Sequence, residues 1–230
     1  MSSKPSVALD PAVELQPKGD THASVIWLHG LGADGHDFEA IVPELDLPAA
    51  MGVHFVFPHA PVQAVTINNG MQMRSWFDIR SQDLAERQDH DGVRASEQIL
   101  RDLIQQEIDA GVAPECIVLA GFSQGGAIAL QTGLRFEQPL AGILALSTLL
   151  PIPAALEAEA HAANCDIAVM MAHGVHDEVI PMRLAQNSRA TMEQLGYQVA
   201  WFDYPMAHQV CGPEIRDIRA WLLDVLPSSD

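Results

Sequence analysis

The sequence predicts an α/β fold: one domain over residues 1–230, with a mostly parallel central sheet flanked by helices and no large cap domain. Three observations predict it. Short apolar, β-prone runs alternate with longer helical patterns along the whole chain. Several of the short runs are apolar at successive positions, as a parallel strand covered on both faces requires. No linker, internal repeat or low-complexity tract divides the 230 residues, a length that one α/β domain commonly reaches.

Taken in chain order, Val7–Leu15 reads as an antiparallel edge strand. The buried strands are expected at Val25–Leu28, Val53–Phe57, Ile117–Ala120, Gly142–Leu146, Ile167–Met171 and Val199–Tyr204. Val93, Leu100, Leu103, Ile104 and Ile108 recur at helical spacing and predict a helix from Asp91 to Ala110, stopped by Gly111. A second helix opens after Ser123, a third follows Pro181, and Ile215–Leu226 makes the last. Pro181 and Pro213 suit helix first turns. From His59 to Gln88 there is no long helical pattern and only fragments of strand, so this stretch reads as a long functional loop.

Composition narrows the function. Thirty acidic residues against twelve Lys and Arg leave a net charge of −18, which repels phosphate backbones and anionic lipid. Nucleic acid is therefore not an expected partner, nor is stable membrane association. The uncharged stretches Cys116–Leu134 and Gln138–Leu156 break at glycines and prolines, and read as strands, turns and a helix. Three cysteines, Cys116, Cys165 and Cys211, cannot form a complete disulfide set and match no zinc spacing. Reduced thiols and an N-terminus without an apolar signal core point to the cytoplasm.

The chemistry-bearing signal is Gly121-Phe122-Ser123-Gln124-Gly125, placed between an expected strand and an expected helix. That context builds a nucleophile elbow: a sharp turn with room only for small flanking residues, the serine oxygen held clear, and helix N–H groups behind it. A serine nucleophile needs a base, and the base needs an orienting acid. Asp177 lies beyond the strand Ile167–Met171 and His208 beyond Val199–Tyr204, on the same sheet edge as Ser123. Asp166 precedes its strand, Asp203 lies within one and His161 falls on a surface segment, so none suits either role. A metal site built from His173, His176 and Asp177 lacks a third ligand cluster and the HExxH pattern. The oxyanion donors are expected to be the backbone N–H of Gln124 and that of Leu31, in the glycine-rich turn His29-Gly30-Leu31-Gly32. Cys211 reads as a small packed thiol.

Five segments together resemble the phospholipase/carboxylesterase branch of the α/β-hydrolases, which includes bacterial carboxylesterases and acyl-protein thioesterases. They are LHGLGADGHDF from Leu28, FPHAPVQAVTINNGMQMRSWFDI from Phe57, GFSQGGAIAL from Gly121, HGVHDEVIP from His173 and DYPMAHQVCGPEIRDIRAWL from Asp203. The resemblance implies a hydrolase of carboxylic esters or thioesters that needs no cofactor. It sets Ser123 at the nucleophile, Asp177 at the acid, His208 at the base, and Leu31 and Gln124 at the oxyanion positions. Arg74-Ser75-Trp76-Phe77-Asp78 resembles a loop bordering the active site, which implies substrate contacts for Trp76 and Phe77. Ala207 and Gln209 depart from the Gly and Glu often found around the histidine, a change that bears on substrate preference. The bacterial carboxylesterases are the members it resembles most, and dimers among them make a homodimer one option. The expected partner is a small-molecule ester. Only 18 residues, Leu149–Asp166, separate the strands between which lipases of this fold insert a cap. They read as a connecting helix, leaving an open site.

Overall fold

The computed structural model describes residues 10–81 and 88–227. Seven strands form the central sheet: β1 (Val13–Leu15), β2 (Ala23–Leu28), β3 (Val53–Phe57), β6 (Ile117–Phe122), β7 (Gly142–Leu146), β8 (Ala168–Gly174) and β9 (Val199–Tyr204). A separate hairpin, β4 (Val62–Val65) and β5 (Met71–Arg74), accounts for the remaining two. The sheet order is β1-β3-β2-β6-β7-β8-β9, and only β1 runs antiparallel. β1 is the expected edge strand, shortened; residues 7–9 of that expectation lie outside the described residues.

Every residue of β2, β3 and β7 is buried, which is why these strands read as unbroken apolar runs. Strand alternation then sends neighbours to opposite faces. Ile26 and Leu28 join Leu119, Ile143 and Ile128 in one core layer, beneath Leu100 and Ile104 of α2 (His90–Asp109). Val25 and Trp27 join Phe55, Val118 and Leu144 in the other, under Ile41 and Leu45 of α1 (Ile41–Leu45) and Ile218 and Leu222 of α6 (Gly212–Val225). Full burial of each such aliphatic side chain stabilises by roughly 1.5–3 kcal/mol before ordering costs. Asp89 caps α2 by accepting the Gly92 N–H at 3.2 Å. α3 (Gln124–Gly133) is buried along its whole length. α5 (Met182–Gln194) places Ala185 and Met192 in the first layer. Pro181 sits at its cap, one position earlier than expected, whereas Pro213 lies in the first turn of α6.

Two sequence expectations need correction. The irregular stretch contains the β4–β5 hairpin, closed by Asn69 and Gly70 at φ 55° and 74°; its residues 82–87 lie outside the described residues. The connection 149–166 carries a single helical turn, α4 (Leu156–Glu159), between two short 3-10 turns. Leu150 and Leu156 tie it to the core. Among the described residues no helix is long and apolar enough to cross a membrane.

Candidate active site

Six parallel strands end on one edge, and the turns that follow β2, β6, β7, β8 and β9 converge there. Ser123 follows β6 with φ 55° and ψ −120°, a backbone conformation that an L-residue adopts only under strain. The strain is held by the packing behind it. A Cβ on Gly121 would stand 2.4 Å from the carbonyl carbon of Gly125, and one on Gly125 would stand 2.3 Å from Leu28 O. The turn therefore closes only with glycine at both places. Ser123 N–H donates to Leu146 O at 2.8 Å, and Thr148 Oγ1 donates to Ser123 O at 2.6 Å. β7 thus clamps the elbow from the side.

Ser123 Oγ lies 2.9 Å from His208 Nε2, and His208 Nδ1 lies 2.7 Å from Asp177 Oδ2. A carboxylate only accepts, so Nδ1–H donates to Asp177 and Nε2 is left with its lone pair toward the serine hydroxyl. Asp177 is itself fixed: its Oδ1 accepts the N–H groups of Val179 and Ile180 at 2.9 and 2.8 Å. The His208 ring packs on Phe122, centroids 4.7 Å apart. Residues 85 positions apart in the chain are thereby brought into one hydrogen-bonded chain.

Neither the Leu31 nor the Gln124 N–H has an acceptor among the described residues, and both residues line the cavity that holds Ser123. His29 shapes the Leu31 turn from below. Its Nδ1–H donates to Gly30 O at 2.7 Å and its Nε2 accepts the Ala60 N–H at 3.0 Å. Burial pushes its pKa down to about 4, which keeps the ring neutral and suited to both bonds. His173 is likewise buried, with Nε2–H donating to Ile180 O at 2.8 Å, and burial lowers its pKa. His176 points outward on the surface. No group of three or more His, Cys, Asp or Glu side chains among the described residues is arranged to hold a metal.

A family model described as phospholipase/carboxylesterase matches residues 10–226, nearly the whole chain. The chain belongs to this family. It is accordingly a hydrolase of carboxylic ester or thioester bonds. Acyl-protein thioesterase 1 of Gibberella zeae is 40% identical over 221 residues, covering 92% of this chain and 94% of that protein. Acyl-protein thioesterase 1 of Yarrowia lipolytica is 38% identical over 217 residues, covering 92% and 96%. Among solved structures, Zea mays acyl-protein thioesterase 2 matches with a TM-score of 0.83 at 26% identity, covering 94% of this chain and 99% of that one.

In this member of the family the site opens into a cavity of about 520 Å³, within the range of small-molecule pockets. Phe77, Ile79, Val93, Ala127, Leu149 and Val179 form much of its apolar wall. The two loop residues expected to touch substrate part company here. Phe77 lines the cavity; Trp76 does not, being 1% exposed beneath the site. Its indole stacks obliquely against His29, at a centroid distance of 5.4 Å. Arg74 is structural as well, donating to Ala60 O at 2.9 Å and pairing with Asp10 at 2.6 Å. Asp78 accepts from the Thr66 backbone and hydroxyl and also lines the cavity. Sequence reasoning overlooked the Gln124 side chain, Thr148 and the hairpin. The Asn69-Gly70 pair between two short apolar runs was a usable hairpin signal.

Proposed function

We propose that this family member is a serine carboxylesterase whose nucleophile, base and acid are Ser123, His208 and Asp177. The observation that carries the reading is the continuous chain of hydrogen bonds at 2.9 and 2.7 Å, ending on a serine held at φ 55° in the wall of an apolar cavity. His208 Nε2 takes the Ser123 proton as the oxygen attacks the ester carbonyl. Asp177 keeps the imidazole tautomer and stabilises its charged form. The N–H groups of Leu31 and Gln124 receive the oxyanion, an arrangement supported by their having no acceptor of their own. His208 then protonates the leaving alcohol, and water, activated by the same imidazole, releases the acid from Ser123. No step calls on a cofactor.

Short- to medium-chain esters in solution are the proposed substrates. The 149–166 connection packs on the core and leaves no room there for a cap domain, and a charge of −18 disfavours anionic surfaces. The three free thiols support a cytoplasmic setting. A second reading is acyl-protein thioesterase or lysophospholipase; the names of relatives that are 36–40% identical favour the thioesterase. The chain of hydrogen bonds would be unchanged, because a thioester carbonyl is attacked in the same way.

Kinetic constants for a short aryl ester, a lysophospholipid and a palmitoylated peptide, with an organophosphonate as active-site label, test both. Labelling confined to Ser123 and the highest kcat/KM on the short ester support the first reading. A higher kcat/KM on the palmitoylated peptide or on the lysophospholipid transfers the assignment to the second. Failure to label Ser123 overturns both.

A further inference from the structure

Trp76 makes two hydrogen bonds in opposite directions, and each ends on one half of the proposed oxyanion hole. Its backbone N–H donates to Gln124 Oε1 at 2.7 Å, and its indole Nε1–H donates to His29 O at 2.9 Å. The flanking backbone repeats the pattern. Gly32 N–H donates to Arg74 O at 2.9 Å, and Gln124 Nε2 donates to Phe77 O at 2.6 Å. The segment 74–77 is thus fastened to the turn that carries the Leu31 N–H and, through a side chain, to the residue that carries the other donor.

The sheet cannot do this work. β2 and β6 pair in register only as far as Leu28 and Gly121. Beyond that rung one chain enters a glycine-rich turn and the other enters α3, with no backbone hydrogen bond between them. Contact sets the nearest approach, because Gly125 already presses on the carbonyls of Leu28 and His29. Nothing in that contact limits how far the turn can swing away. The Trp76 bridge does, and Ser96 Oγ anchors it further by donating to Trp76 O.

We infer that Trp76 and the side chain of Gln124 are positioning residues that set the spacing between the two oxyanion donors. This rests on the reading of Leu31 and Gln124 given above. Its physical basis is that a donor stabilises the developing oxyanion only within a narrow distance window, about 2.7–3.1 Å. Losing such a donor outright costs about 10²–10³-fold in kcat; letting one drift costs less, about tenfold.

Trp76→Phe removes the indole N–H and keeps an aromatic ring. Gln124→Met removes the side-chain bonds and keeps the backbone N–H. Both are compared with the wild type in kcat and KM on an aryl ester, in Ki for a trifluoromethyl ketone and in Tm. The ketone adds to the nucleophile and places an oxyanion in the hole, so it reads donor placement directly. The expected result is a roughly tenfold fall in kcat, KM within about threefold, and a rise in Ki matching the fall in kcat. An unchanged kcat, or a fall in kcat with unchanged Ki, overturns the assignment. Should Trp76→Phe not fold, Gln124→Met decides by the same criteria. Labelling separates the two levels. A wild-type Ser123 that resists the phosphonate defeats the reading of the site, whereas a labelled Ser123 with unaltered Ki in the variants defeats only the role of Trp76.

Discussion

Replacing Gly125 with alanine tests the elbow at its tightest point. The new methyl carbon would stand 2.3 Å from Leu28 O and 2.6 Å from both His29 O and the Leu28 carbonyl carbon. Cβ contacts under 3.0 Å are essentially unknown, so the start of α3 and the end of β2 must part by at least about 0.7 Å. Leu28 is held in the ladder opposite Gly121, so β2 cannot retreat freely. The displacement falls instead on the 29–32 turn and the first turn of α3, which carry the two proposed oxyanion donors. A misplacement near 1 Å costs up to about 10²-fold in rate, and overpacking of this kind costs about 1–3 kcal/mol. In a chain of this size each kcal/mol lowers Tm by about 2–4 °C. Gly125→Ala should therefore lose about 10²-fold in kcat and melt roughly 3–10 °C lower in scanning calorimetry. Gly212→Ala is the control, because its Cβ would meet nothing nearer than the flexible Arg216 guanidinium at 3.9 Å. A Gly125→Ala enzyme with wild-type kcat and a Tm within a degree of the control would refute the packing argument.

Ser123→Ala should lower kcat on an aryl ester by about 10⁴–10⁶-fold and Asp177→Asn by about 10⁴-fold, while the double variant loses little beyond Ser123→Ala alone; multiplicative losses would show that the two do not act together. Leu149 and Gln88 line both the main cavity and an adjoining one of about 170 Å³. Leu149→Ala should join the two and raise kcat/KM for long acyl chains relative to butyrate by about tenfold in an acyl-length series, and an unchanged profile would count against that division. Glu214 is fully buried, accepts the Cys211 N–H and has one oxygen without a partner; burial pushes its pKa up to about 7. A raised folded pKa costs nothing below the unfolded value of about 4.5 and destabilises increasingly as pH climbs toward 7, by up to about 3 kcal/mol. Glu214→Gln should match the wild type in Tm near pH 4 and exceed it above pH 7, and a pH-independent difference would contradict this.

Most of the sheet was legible in the residues. Val53–Phe57 and Gly142–Leu146 were read to the residue, and β2, β6 and β8 to within a few, because burial on both faces leaves a dense apolar run. Val199–Tyr204, a half-exposed edge strand, was also read to the residue, from its β-prone aromatic and β-branched residues. The elbow was legible for a related reason: its glycines and serine are adjacent in sequence, and its strain arises from local sterics. The hairpin was not read, since four-residue strands such as Val62–Val65 carry little pattern of their own and are set by pairing.

By itself the sequence determined which segments become strands and helices, that an elbow stands at Ser123, and that an acid and a histidine follow on the same edge of the sheet. These depend on neighbours a few positions apart, whose spacing is written in the chain. Only the tertiary structure decided that His208 meets Ser123 and Asp177 within hydrogen-bond reach, across separations of 85 and 31 residues. It also decided the fate of two adjacent aromatics. Phe77 turned to the cavity and Trp76 into the core, because an indole N–H buried with its ring needs an acceptor and His29 O supplies one. The direction of a side chain in an irregular loop is set by what packs beneath it, and for Trp76 that partner comes from a strand end 47 residues earlier.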